Sequence, residues 1–213
     1  MKTKRYSSTV TPASFRPRKP EDLIGHARKV ATALVAKASR VRLLGGGPMK
    51  VLLYGPPGVG KTSVADMVAM ALCKEQALAI EDFNGREISL ETVRRWMDSL
   101  AYAGLFGGYE VRVVNELDRA SKESQDLLLT YLDKLSPGKA FIGTSNLQLD
   151  LLTERFQTRF QAIKLTPPTT EELAAFLTAR WPVPAVTASQ IAVGSGGCVR
   201  AALADLESYL DQQ

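Results

Sequence analysis

Apolar residues follow two rhythms along this chain. From about Pro20 to Arg42, Leu23, Ile24, Val30, Ala33, Leu34 and Ala38 recur at spacings of three and four, which predicts an amphipathic helix. The glycine-rich stretch LLGGGPMK at 43–50 breaks it. Short runs of strand character then alternate with helical patterns. The runs are KVLLYG (50–55), ALAIEDF (77–83), YEVRVVN (109–115), AFIGTSN (140–146) and QAIKL (161–165). The helical patterns start at Lys61, cross SLETVRRWMDSLAYAG (89–104) and SKESQDLLLTYLDKL (121–135), and include a short one near Leu151. Such alternation predicts an α/β fold: a parallel five-stranded sheet flanked by helices.

The pattern changes at Pro167 and Pro168. Thr169, Thr170 and Glu172 have the spacing of a helix start with a capping box, and no strand of weight follows. Residues 169–180, about 187–194 and 198–211 read as three helices. The expected organisation is a basic N-terminal arm and first helix at 1–42, a nucleotide-binding core at 43–166 and a small helical lid at 167–213.

Composition adds one asymmetry. The 213 residues carry a formal charge of +5, yet the first 42 hold 11 Lys or Arg against only Glu21 and Asp22, so the remainder is net acidic. The arm is the part that would meet a polyanion such as nucleic acid, although a short basic end is equally read as a solvated face. Two cysteines, Cys73 and Cys198, match no zinc spacing, and the one histidine, His26, cannot build a metal cage. No apolar run reaches the roughly 18–20 residues of a membrane span, and nothing near Met1 resembles a secretory signal. The expectation is a cytoplasmic protein without a membrane partner.

The strongest chemical signal is GPPGVGKTS, 55–63, which satisfies G-x-x-x-x-G-K-[ST] between an apolar strand and a helix. Gly55, Pro56, Pro57, Gly58, Val59 and Gly60 form the loop whose backbone N–H groups would cradle phosphates. Lys61 supplies a point charge to the outer phosphates and Thr62 a hydroxyl to Mg²⁺, and Ser63 is the last nucleotide-binding residue of the stretch. The implied ligands are ATP and Mg²⁺.

These residues, with others along the chain, resemble an AAA+ ATPase of the clamp-loader clade, similar to replication factor C and phage clamp-loader small subunits and, more distantly, to the Holliday-junction branch-migration motor. FRPRKPEDLIGH (15–26) is similar to the N-terminal box of that family, which implies that Ile24 and Gly25 border the adenine pocket. NELD (115–118) stands at the D-E-x-D box, GTSN (143–146) at sensor 1 with Asn146 as its polar tip, Thr158-Arg159-Phe160 at the arginine finger, and GGCVRAALADLE (196–207) at the sensor 2 helix. The resemblance implies that Arg159 acts in trans on a neighbouring subunit, with Arg155 as a rival, and that Arg200 reads the nucleotide of its own chain. It also implies that the protein works as a homo- or hetero-oligomer, a ring or spiral on DNA, with a sliding clamp as one partner. The helix carrying Arg94 resembles the one that faces the central channel, so Lys2, Lys4, Arg5 and Arg94 are the expected contacts to DNA backbone. The sequence ends just after the lid pattern, where clamp-loader subunits continue into a collar. On this reading assembly rests on core and lid contacts.

One residue departs from the pattern. Asn115 stands where the family has the aspartate of the magnesium shell, ahead of Glu116, the residue expected to polarise water. At about 5 Å and an effective dielectric near 20 the missing charge is worth at most about 3 kcal/mol of attraction to Mg²⁺. Turnover should then be slow or partner-dependent, and Asn115→Asp should raise it. The competing reading is a nucleotide-gated assembly module that binds ATP and a partner with little turnover.

Overall fold

The computed structural model describes residues 10–73, 77–102, 109–147 and 154–212. The basic residues Lys2, Lys4 and Arg5, the glycine-rich stretch at 103–108 and the short helix expected near Leu151 lie outside them.

Five parallel strands form one sheet: β1 (Met49–Tyr54), β2 (Ile80–Asn84), β3 (Glu110–Asn115), β4 (Lys139–Ser145) and β5 (Gln161–Lys164), in the order β2-β3-β4-β1-β5. Alternate residues face opposite sides. Val51, Leu53, Val111, Val113, Ala140 and Ile142 pack under α1 (Gly25–Leu43) and α2 (Lys61–Leu72). Leu52, Val114 and Phe141 pack on the other side, against α3 (Leu90–Asp98), α4 (Lys122–Asp133) and α5 (Glu154–Gln157). Both faces are covered, which is why the strands read as near-continuous apolar runs. The parallel sheet and flanking helices agree with expectation.

Two helix boundaries differ. The first helix begins at Gly25 rather than Pro20, because Pro20–Asp22 close a separate 3-10 turn and Ile24 is extended, at φ −126°. The third ends at Asp98, and Ser99–Ala101 tighten into a 3-10 turn. Lys139, 3% exposed, explains that stop: its Nζ donates to the carbonyls of Ser99 and Tyr102, which diverts them from a continuing helix.

The lid consists of α6 (Thr170–Arg180), α7 (Ala185–Gly194) and α8 (Val199–Leu210). Thr169 caps α6 with the expected reciprocal bonds to Glu172. Leu173, Leu177, Ala188, Ala202 and Leu206 form a separate core, and Phe15 and Ile24 join it. Residues 10–24 therefore run as a strap over the lid. Trp181 Nε1 donates to Val10 O, Ala13 N–H to Glu207, and Arg180 pairs with Asp22 at 3.1 Å while lying over the Phe15 ring.

Candidate nucleotide site

The phosphate loop leaves β1 at the carboxyl edge of the sheet and enters α2 through Gly60, at φ +97°. Parallel α/β sheets bind ligands along this edge. The strands flanking β1 on one side bring their ends to the same place: β4 delivers Asn146 and, next to it, β3 delivers Asn115 and Glu116.

Lys61 is 7% exposed, and its Nζ donates to the carbonyls of Gly55 and Pro56 at 2.8 and 2.7 Å. Burial pulls its pKa down to about 8, against the opposing charge of Asp118 and with the help of Arg200. A polyphosphate here would give this ammonium anionic partners in place of two carbonyls.

Glu116 sits at φ 54° and ψ 47°, the one non-glycine residue with positive φ among those described. That left-handed kink costs about 1–2 kcal/mol and turns the backbone sharply as it leaves the strand. Gly85 makes it feasible, since a Cβ there would lie 2.1 Å from Glu116 O. The Glu116 carboxylate is held by Arg119 at 2.8 Å and faces the Asn84 amide at 3.4 Å, while its N–H donates to Thr144 Oγ1. Asn84, Thr144 and Arg119 were not singled out from sequence. A polar residue ending an apolar strand is the only signal that marks Asn84.

Asn115 lies at the centre of a chain of hydrogen bonds. Its Oδ1 accepts from Thr62 Oγ1 at 3.1 Å and from Thr144 Oγ1 at 3.2 Å, and its Nδ2 donates to Asp82 Oδ1 at 2.9 Å. Loss of water pushes the Asp82 carboxyl up, the Asn115 bond pulls it back, and Glu87 adds to the rise. Thr62 and Asn115 thus present hard oxygen donors side by side with a carboxylate behind them, and this oxygen-only set fits Mg²⁺ better than a softer metal. Among the described residues no group of three or more His, Cys, Asp or Glu forms a metal cage.

The lid reaches the loop directly. Val199 N–H, in the first turn of α8, donates to Gly58 O at 3.1 Å, and a Cβ on Gly58 would lie 2.2 Å from Cys198 Sγ. Cys198 is therefore a half-buried contact between lid and loop, unlike Cys73, which is buried in the core. Arg200 follows on the same turn, exposed beside Gly58. Ile24 packs against the lid core, and Gly25 starts α1 next to Pro168 and Glu172. Residues 55–63, Asn115, Glu116 and Asn146 thus lie at one edge of the sheet with Arg200 beside Gly58, while Ile24 and Gly25 lie against the lid.

Residues 51–167 match the family described as "ATPase family associated with various cellular activities (AAA)". This chain belongs to that family. Among curated AAA proteins it is similar to the replication-associated recombination protein A of Bacillus subtilis, 30% identical over 120 residues that make up 56% of this chain and 26% of that protein. It is also similar to the probable replication factor C subunit 5 of Dictyostelium discoideum, 24% identical over 178 residues, 79% of this chain and 49% of that one. The chain thus spans half or less of the length of these relatives. The AAA fold recurs in the Thermotoga maritima RuvB Holliday junction branch migration motor, with a TM-score of 0.71, 25% identity, and coverage of 88% of this chain and 62% of that chain. Relatives and fold agree with the AAA+ resemblance of the motifs.

Two expected residues have other surroundings. Arg159 places Nε and Nη2 on the two oxygens of Asp133, at 2.8 and 2.9 Å, and Nη1 on Arg155 O. Arg94 is exposed on α3, whose Val93 and Trp96 are buried. No helix among the described residues is long and apolar enough to cross a membrane.

Proposed function

We propose that this AAA protein is a DNA-associated ATPase that uses ATP binding and slow hydrolysis to switch an oligomer on DNA during replication, repair or recombination. One observation carries the reading: the first turn of the last lid helix rests on Gly58 of the phosphate loop, the loop that leads into Lys61 and Thr62. A ligand at that loop touches core and lid together, so its γ-phosphate would set their relative position. The replication and recombination named for these relatives favour DNA as the track.

In this scheme Lys61 neutralises the outer phosphates, Glu116 orients the attacking water with Asn146 beside it, and Arg200 senses the nucleotide from the lid. Thr62 would hold Mg²⁺, with Asn115 hydrogen-bonded to that hydroxyl; the ion would supply charge neutralisation on the phosphates. Arg159 acts on the nucleotide of a neighbouring subunit. Lys2, Lys4, Arg5 and Arg94 track DNA backbone, and a sliding clamp is the protein partner that the clamp-loader resemblance suggests.

The Arg119 to Glu116 ion pair supports a second reading, in which the chain is a nucleotide-gated assembly module with little turnover. Phosphate release by the purified protein, with and without DNA, separates the two. DNA-stimulated release supports the ATPase; nucleotide-dependent assembly without release supports the module.

A further inference from the structure

The amide of Asn115 has only one orientation that satisfies its neighbours. Asp82 is an acceptor and faces Nδ2 at 2.9 Å, while the hydroxyls of Thr62 and Thr144 both donate to Oδ1. Thr144 Oγ1 already accepts from Glu116 N–H, so its proton is free to point at Asn115. A flipped amide would set Oδ1 against a carboxylate oxygen and leave both hydroxyls facing N–H donors. Asp82 therefore fixes which end of Asn115 faces Thr62.

We propose that Asp82 and Asn115 together replace the single metal-facing carboxylate of the site: Asp82 carries the negative charge, and the Asn115 amide relays it by presenting a polarised, oriented carbonyl to Thr62. Asp82 is a positioning residue in this arrangement and touches no reacting atom. The proposal rests on the nucleotide-site reading above. It follows that a carboxylate at 115 would not restore the usual site, contrary to the expectation from sequence. An aspartate there would face Asp82 at hydrogen-bond distance with no proton between the two anions, a like-charge contact that disfavours the doubly ionised state. The charge can occupy either position, but not both.

Double-mutant coupling tests this directly. The four proteins are wild type, Asp82→Asn, Asn115→Asp and the exchanged pair Asp82→Asn/Asn115→Asp. Each is titrated with Mg²⁺ in the presence of a fluorescent ATP analogue, and its melting temperature is recorded separately. Asp82→Asn should raise the Mg²⁺ needed for half-maximal tight binding by about three- to tenfold, since solvent around the exposed carboxylate screens much of its charge. Asn115→Asp should lower the melting temperature, and the exchanged pair should recover both properties. If the two substitutions simply add, or Asp82→Asn leaves the Mg²⁺ titration unchanged, Asp82 is only an edge-strand hydrogen-bond partner and the proposal falls. If the wild type binds the analogue but without dependence on Mg²⁺, the proposal falls while the nucleotide site stands. If it binds no analogue at any Mg²⁺ concentration, both fall.

Discussion

Arg159 grips Asp133 with two parallel hydrogen bonds, a fork on fork that orients the guanidinium at the end of a short helix. The pair joins α4 to the turn after α5, and it holds the Asp133 carboxyl below its usual range. In the proposed role across a subunit boundary, Asp133 would hold the guanidinium in a fixed orientation. Arg159→Ala should leave ATP binding nearly intact and reduce oligomer-dependent turnover by about 10³ or more. Mixing it with Lys61→Ala subunits should restore part of the activity, because each mutant completes the other's interface. Equal loss of nucleotide binding would confine Arg159 to its own chain.

Gly85 offers a test of the Glu116 geometry that leaves the glutamate itself in place. A methyl at 85 would collide with Glu116 O, so Gly85→Ala must displace the residue expected to orient water. Single-turnover phosphate release should fall by about a hundredfold, as for other small misplacements of a reacting group. Nucleotide affinity should change little, since the phosphate loop follows β1, three positions from β2 in the sheet order. A variant that hydrolyses at the wild-type rate would detach Glu116 from the chemistry.

Much of this was legible in the sequence, for a physical reason. The phosphate loop is contiguous and its spacing is dictated by backbone wrapping, so Gly55 to Ser63 could be read directly. The alternation of strand and helix patterns likewise implied the parallel sheet. What could not be read is what strand register brings together. Asp82 and Asn115 lie 33 residues apart and meet only because β2 pairs with β3. The start of α1 was misplaced because Pro20 and the acidic Glu21 and Asp22 look like a helix N-terminus, whereas Asp22 serves the lid through Arg180.

That Asp22 link carries a pH signature. Burial alone would raise its carboxyl, but the N–H of Arg18, the Arg180 guanidinium and the N–H of Lys19 outweigh it and hold the pKa below the ordinary aspartate value. A depressed folded-state value means that the stabilisation is fully present above the unfolded pKa of about 3.9 and is lost as pH falls through the folded one. Denaturant titrations at pH 5 and pH 3 should therefore show less acid sensitivity in Asp22→Asn than in wild type. Equal acid sensitivity would mean that the strap contributes nothing to stability through this pair.

Neutralising Lys2, Lys4, Arg5 and Arg94 should weaken DNA binding and flatten its dependence on salt, because each lost phosphate contact removes counterion release. Affinity and slope measured by fluorescence anisotropy over about 50–200 mM salt would decide this. Unchanged values would make the basic arm a solvated end.

Steady-state phosphate release, with and without DNA and across a Mg²⁺ or Mn²⁺ series, bears most directly on whether the site hydrolyses ATP. The prediction is slow basal turnover that rises with metal and with DNA and is abolished in Glu116→Gln, which still binds nucleotide. Wild-type protein that binds ATP yet releases no phosphate under any of these conditions would contradict it and leave the assembly module as the function.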